Sequence, residues 1–284
     1  MQDEHGKLLI VPTPIGNLGD ITYRSREALA DSDVIYAEDT RITGKLLANI
    51  GISSPLVRLD ENVMLERAPE VIARVRAGET VSYCTDAGMP GVSDPGLRLV
   101  AFAHEEGIPI EVLPGASAST VAYVASGTTC PRFFFGAFLP RKRSEVVALM
   151  EQLRTLDAAL IFYESPHRIC AALEAIEEVF PSRTIAVCRE LTKLHEEIVR
   201  GNIQDVRADL EARESIRGEI VLVIWPPDST EGAPTLDEEL LISRALELYA
   251  DNLTSRDVRR ALQDEFGISK NRAYDIAVQA KPSA

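Results

Sequence analysis

Apolar, β-branched runs alternate with amphipathic stretches along most of the chain. The runs Leu8–Thr13, Val34–Asp39, Leu56–Leu59, Thr80–Asp86 and Ile108–Pro114 show little polar alternation. That is the pattern of strands covered on both faces. Between them Thr22–Ala30, Thr40–Asn49, Leu65–Ala77, Pro95–Glu106 and Ser117–Ser126 read as helices, with Gly51, Gly78 and Gly107 where C-terminal caps belong. The alternation predicts a largely parallel sheet with right-handed crossovers. A polar turn, Ser126–Pro131, precedes a second series. Its strands are Phe133–Leu139, Ala158–Ser165, Thr184–Glu190, Glu196–Gly201 and Glu219–Trp225, and its helices Ser144–Arg154, Pro166–Val179 and Ile203–Arg213. The closely spaced final strands predict a mixed sheet with an antiparallel part.

Pro226–Pro234 is a linker by composition. Helices follow near Leu236–Ala250, Ser255–Phe266 and Ser269–Gln279. The last two flank Gly267-Ile268, with Ser269 as N-cap, a pattern that fits a helix-turn-helix or a plain three-helix cap. The expected organisation is an α/β protein: one α/β domain over residues 1–127, a second over 128–227, and a small helical extension over 236–284.

Composition narrows the class. The 284 residues, 45% of them apolar, suffice for one large core or two ordinary ones. No apolar run approaches the roughly 18–20 residues that cross a bilayer. Met1–Lys7 lacks the charged-then-apolar pattern of a signal, so a cytoplasmic protein without a membrane is expected. Cys84, Cys130, Cys170 and Cys188 are widely separated and make no zinc spacing; no metal is expected. The net charge of −14 disfavours loose binding to nucleic acid. It leaves room for a restricted basic face, for which Arg141-Lys142-Arg143, His167-Arg168, Arg189 with Lys193, and the stretch Arg256–Lys281 are candidates. Each is also an ordinary solvated surface.

The distinctive polar residues cluster at strand ends, where open α/β sheets bind ligands. Thr13–Asp20, Glu38–Arg41, Asp86–Gly96, Pro114–Ser117, Gly136–Arg141, Glu164–Arg168 and Arg189–Glu196 each follow a predicted strand. Nearly every one carries glycine and proline or a convergent charge, which predicts one shared cleft between the two halves. Dinucleotide, P-loop and hydrolase-elbow signatures are absent. The stretch Asp86–Gly96, with three Gly and two Pro, suits close backbone approach to a ligand without phosphate.

The strings VPTPIGNLGDIT (Val11–Thr22), AEDTR (Ala37–Arg41), TDAGMPGVSDPG (Thr85–Gly96), LPGASA (Leu113–Ala118), GAFLPR (Gly136–Arg141), FYESPHR (Phe162–Arg168) and CRELTKLHEE (Cys188–Glu197) occur in order. Together they resemble the 16S ribosomal RNA cytidine 2'-O-methyltransferase family, of the tetrapyrrole methylase fold. The resemblance covers about Leu8 to Trp225, and the tail is similar to that family's helical extension. Met89 and Ala116 stand where threonine and proline are common.

The resemblance implies S-adenosylmethionine in a cleft between two α/β domains, 16S ribosomal RNA or the small subunit as partner, and a homodimer. It places the cofactor against Pro14, Asp86, Ala87, Gly88, Met89, Pro90, Val92, Ser117, Ala118, Phe138, Leu139, Gly218 and Glu219. A 2'-hydroxyl is a poor nucleophile, and Asp39, Glu164 and Glu190, with His167 second, are the candidate bases. Arg41, Arg168 and Lys193 are expected to hold RNA phosphates, beside Arg141, Lys142, Arg143 and Arg189. Alternatives are a tetrapyrrole C-methyltransferase of the same fold and a non-catalytic nucleic-acid-binding regulator. TPIGN at Thr13–Asn17 and the ordered strand-end strings weigh against them.

Overall fold

A strand buried on both faces sends successive side chains into two different cores, and the first sheet shows this directly. In β1 (Lys7–Ile10) Leu8 and Ile10 enter one core, while Leu9 enters another together with Val11, just past the strand end. The same parity divides β2 (Val34–Ala37) and β4 (Thr80–Cys84). Unbroken apolar runs are the result. In the computed structural model the described residues are 6–227, 238–251, 253–266, 268 and 270–281.

With β3 (Leu56–Arg58) and β5 (Ile110–Val112) the first sheet has the order β3-β2-β4-β1-β5, all neighbours parallel. Helices α1 (Tyr23–Ala30) and α2 (Thr40–Ile50) cover one face. Helices α3 (Met64–Arg76) and α4 (Gly96–Glu105) cover the other. Gly51, Gly78 and Gly107 follow these helices at φ +72°, +94° and +66°, the left-handed stop open to glycine.

Helix α5 (Ala118–Ser126) then packs Ala118, Val121 and Ala122 under a second sheet. That sheet contains β6 (Phe133–Phe138), β7 (Ala159–Glu164), β8 (Thr184–Arg189), β9 (Glu197–Asn202) and β10 (Ile220–Ile224), in the order β6-β7-β10-β8-β9. Only β6–β7 is parallel, so the sheet is mixed. Helices α6 (Arg143–Gln152), α7 (Ile169–Val179) and α8 (Ile203–Glu211) complete this half.

Both sheets fall in one compact unit, which comprises the described residues up to Ala148 together with Ala158–Trp225. Leu149–Asp157 and the described residues from Pro226 onward form a second unit. Its helices α9 (Glu238–Ala250), α10 (Ser255–Phe266) and α11 (Lys270–Gln279) share a core of Leu241, Ala245, Leu248, Val258, Leu262 and Ile276 among others. Most of the expected linker, 228–234, and the expected Gly267 turn and Ser269 cap lie outside the described residues.

Candidate active site

The strand order fixes where a crevice must open. β1 and β4 are neighbours, yet the helices that follow them, α1 and α4, lie on opposite faces of the sheet. Their outgoing loops therefore diverge, leaving space above the carboxyl ends. One bridge holds the base of that space: Thr13 N donates to the Gly88 carbonyl at 3.0 Å, and Gly88 N to the Thr13 carbonyl at 3.1 Å. Gly88 sits at φ +81° and Gly91 at φ +93°. Asp94 Oδ1 accepts from Gly91 N and Gly96 N at 2.7 and 2.8 Å, shaping the loop where α4 begins.

The second sheet supplies the facing wall. Its register shifts between Phe135 and Phe138, with Ala137 at φ +57°, and this bulge turns Phe138 outward. The Phe138 ring meets Tyr163 edge-on at 5.5 Å. The end of β7 brings Glu164, Ser165 and Pro166, and antiparallel β10 brings Gly218, Glu219, Ile220 and Val221. Between the walls lies a cavity of about 410 Å³, floored by Ser117 and Ala118 where α5 begins.

Of the expected cofactor residues, Asp86, Ala87, Gly88, Met89, Val92, Ser117, Ala118, Phe138, Gly218 and Glu219 line this cavity. Pro14, Pro90 and Leu139 do not; Ile15 lines it where Pro14 was expected, and Leu139 is buried. Glu38, Thr85, Ser93, Asp94, Tyr163, Ser165 and Pro166, which stand in the strand-end stretches and strings but were given no cofactor role, also line it, as do Ile220 and Val221, which the sequence did not single out.

Five lining residues are carboxylates, Glu38, Asp86, Asp94, Glu164 and Glu219, and none is lysine or arginine. Burial, reinforced by the Asp86 charge, raises the Glu38 carboxyl above its ordinary value. Burial likewise raises Asp86, although Asp86 Oδ1 accepts from Asp39 N at 3.0 Å. Glu164, 3% exposed, takes Ser165 N on Oε1 at 2.6 Å. Its Oε2 lies 3.1 Å from Arg168 Nη2 but has no well-aligned hydrogen bond among the described residues, nor does Thr85 Oγ1. Thr85 Oγ1 is thus a buried polar atom at the cavity wall without a partner among the described residues, which is costly unless a ligand meets it.

The remaining expected residues are placed as follows. Arg168 turns its guanidinium back to Glu164 and to the Leu139 and Pro140 carbonyls. His167 is exposed and outside the lining. Glu190 also lies outside it, holding Lys193 Nζ at 2.8 Å and accepting Glu219 N at 2.9 Å on the same oxygen. The Lys193 hydrogen bond, with that of Glu219, keeps the Glu190 carboxyl below the usual range. Arg189 pairs with Glu197 at 2.9 Å. Lys142 and Arg143 pair with Glu145 and Glu178, and Arg141 is exposed. Asp39 and Arg41 pair at 2.5 Å in a neighbouring groove, and Arg41 keeps the Asp39 carboxyl well below its ordinary value. Among the described residues no cluster could hold a metal ion.

The family model of the tetrapyrrole (corrin/porphyrin) methylases matches residues 7–207. The ribosomal RNA small subunit methyltransferase I of Haemophilus influenzae is 39% identical over 284 aligned residues, covering 98% of each chain. The chain belongs to the tetrapyrrole methylase family, in its ribosomal RNA small subunit methyltransferase I branch. A shorter member from Thermotoga maritima is 40% identical over 219 residues, 77% of this chain and 98% of its own. The fold of this family also appears in uroporphyrin-III C-methyl transferase from Thermus thermophilus, complexed with S-adenyl homocysteine. That structure has a TM-score of 0.54 and 16% identity over 78% of this chain and 92% of its own. The methylase cavity is thus built from strand ends of two sheets that share one unit in this chain.

Proposed function

We propose that the protein transfers a methyl group from S-adenosylmethionine to the ribose 2'-hydroxyl of a cytidine in small-subunit ribosomal RNA. The observation that carries this reading is the charge of the cavity, a partly apolar space with no lysine or arginine in its lining. Glu164 and Glu219 are paired with Arg168 and Lys193 outside it, while Glu38, Asp86 and Asp94 have no cation within ion-pair distance among the described residues. Such a field opposes a phosphate-bearing nucleotide and complements a cationic ligand. The size, about 410 Å³, is in the range of small-molecule sites.

S-adenosylmethionine, when bound, supplies an electrophilic methyl on a sulfonium. The chain's part is to bind and orient. Gly88 lets the backbone of the Asp86–Gly96 stretch approach closely, because its left-handed φ suits no β-carbon. Thr85 Oγ1 offers its unmatched hydrogen-bonding capacity. Phe138 and Tyr163 give an apolar wall that excludes water from a reacting centre. Holding the acceptor oxygen in line with the methyl carbon supplies the larger part of the rate.

The RNA is read as lying against Arg141, the basic groups of the tail and Arg41, which stays exposed though paired with Asp39, with the other expected cations turned partly to local acids. The described residues contain no helix long and apolar enough to cross a membrane. Work on ribosomal RNA puts the protein in the cytoplasm, and family resemblance supports a homodimer, testable by sedimentation. The deciding experiment maps ribose methylation in 16S RNA from cells with and without the gene. One cytidine 2'-O-methyl mark is expected to vanish with the gene and return with the wild-type copy. An unchanged map overturns the reading.

A further inference from the structure

A second cavity, about 550 Å³, opens beside the first at the carboxyl ends of β2 and β3. Glu38 and Asp86 line both cavities, so they form a common wall. The groove's other charged groups are arranged in pairs. Arg41 is held by Asp39 and Arg58 by Asp60, each carboxylate two residues from its arginine. Glu61 meets Arg98 at 3.3 Å. Among the described residues neither Glu38 nor Asp86 has a cation within ion-pair distance. The two arginine side chains remain 86% and 61% exposed, oriented by their partners but open to solvent. Arg67 Nη1 also donates to the Arg58 carbonyl at 2.8 Å, pinning the strand end that carries it.

We propose that this groove is the acceptor subsite: it seats the single nucleoside to be methylated, with Glu38 on the common wall taking the hydroxyl proton. The inference rests on the reading that RNA is the substrate. The groove carries five acids, Glu38, Asp39, Asp60, Glu61 and Asp86, against Arg41 and Arg58, so the two exposed arginines can meet the phosphates that flank one nucleoside while a longer stretch of backbone is repelled. A nucleoside drawn out of its RNA context into a pocket is the usual solution when chemistry must reach a buried atom. The common wall puts the acceptor between the groove and the methyl donor. The methyl carbon's bond to sulfur breaks as its bond to the ribose 2'-oxygen forms. The hydroxyl proton passes to the Glu38 carboxylate and then to solvent, and S-adenosylhomocysteine departs. Asp86 also lines both cavities and is the second candidate for this proton; its carboxylate accepts from Asp39 N at 3.0 Å, just as a backbone hydrogen bond from Asp86 partly offsets the rise at Glu38.

The test uses the full-length protein, small subunits from cells lacking the gene, and two variants, Glu38→Gln and Arg58→Ala. Calorimetry with S-adenosylhomocysteine is expected to give near-wild-type affinity for both. In methyl transfer, Arg58→Ala should raise KM about tenfold with little change in kcat. Glu38→Gln should lower kcat by about a hundredfold or more while KM holds. The charged groups facing Glu38 are Asp86, Asp94 and Asp60, while Arg41 faces Asp39 and Asp86. Burial and the three acids raise Glu38, so the wild-type rate should climb with pH through a limb above the ordinary carboxylate range. That limb should be missing from Glu38→Gln. The proposal is overturned if Arg58→Ala leaves KM unchanged, if Glu38→Gln keeps the wild-type rate and limb, or if its rate falls only in step with S-adenosylhomocysteine affinity. Failure of the wild-type protein to methylate any small-subunit RNA would overturn the underlying reading, and the acceptor subsite with it.

Discussion

At Gly88 a β-carbon would lie 3.2 Å from Ile15 Cγ2 and 3.5 Å from the Ala116 carbonyl, and φ is +81°. The crowding is moderate; the backbone angle is the stronger constraint. Gly88→Val is therefore expected to lose S-adenosylmethionine binding in calorimetry while circular dichroism stays native. Unchanged affinity would remove the Asp86–Gly96 stretch from the pocket. Glu190 presents a different case. Its carboxylate holds Lys193 and the Glu219 amide, and Gly218 is pressed against it so closely that a β-carbon there would clash. With its carboxyl below the usual range it is a weak base, and its position suits bracing the Gly218–Glu219 rim. A depressed carboxylate stabilises the fold above its unfolded pKa, and that contribution is lost as pH falls through the depressed folded value. Glu190→Gln should thus lower Tm by about 2–6 °C at pH 7, and the gap should close in acid. It should also weaken cofactor binding without deleting a limb of the pH–rate profile. A hundredfold fall in kcat at unchanged cofactor affinity would make Glu190 the base after all.

Among the elements, α5 joins packing to chemistry. Its Ala122 is fully buried under the second sheet, where the Cys188 thiol approaches the Ala122 carbonyl at 3.9 Å, and its first turn sets Ser117 and Ala118 on the cavity floor. Ala122→Leu overfills that contact, which typically costs about 1–3 kcal/mol. The expected result is a Tm lower by about 2–12 °C together with weaker S-adenosylhomocysteine binding; a lower Tm with intact affinity would uncouple the helix from the floor. This helix also shows what could be read from the sequence. Both sheets were legible because strands covered on two faces leave unbroken apolar runs, and helix ends were legible from Gly51, Gly78 and Gly107. Strands came out shorter than the runs because their last residues, such as Thr13 and Asp86, belong to the site loops. The expected boundary near 127 separates α5 from the sheet it packs under, since nothing in the helix's own periodicity says which sheet will cover it. Glu38 and Tyr163 stood in stretches noted at strand ends but were given no role, for a related reason: the order β3-β2-β4-β1-β5 and the parallel β6–β7 pair bring them to the cavity, and strand order is a property of tertiary pairing.

For the whole molecule, a charge of −14 means that RNA affinity must come from a few local cations, so salt dependence should report them individually. The helical unit carries several such cations. Its helices share a core of their own, Tyr249 Oη donates to the Ala277 carbonyl at 2.8 Å to tie α9 to α11, and Thr254 with Asp257 caps α10. Arg256 and Arg260 are exposed on α10, and Arg259 lies over the Tyr274 ring at 5.5 Å, a cation and an aromatic face side by side. None of its described residues lines the cavity at the strand ends of the two sheets, and 77% of this chain accounts for 98% of the Thermotoga relative. A body of this size can therefore be absent from a relative at 40% identity. Truncation after Pro227 is accordingly expected to leave S-adenosylhomocysteine affinity unchanged in calorimetry and to raise KM for small subunits with kcat largely kept. Some loss of Tm should accompany it, because Leu149–Asp157 clusters with the removed helices. Cofactor binding lost from a folded truncated protein would make the helices part of the active cleft, and methylation at the full rate with unchanged KM would make them a stabilising cap with no hold on RNA.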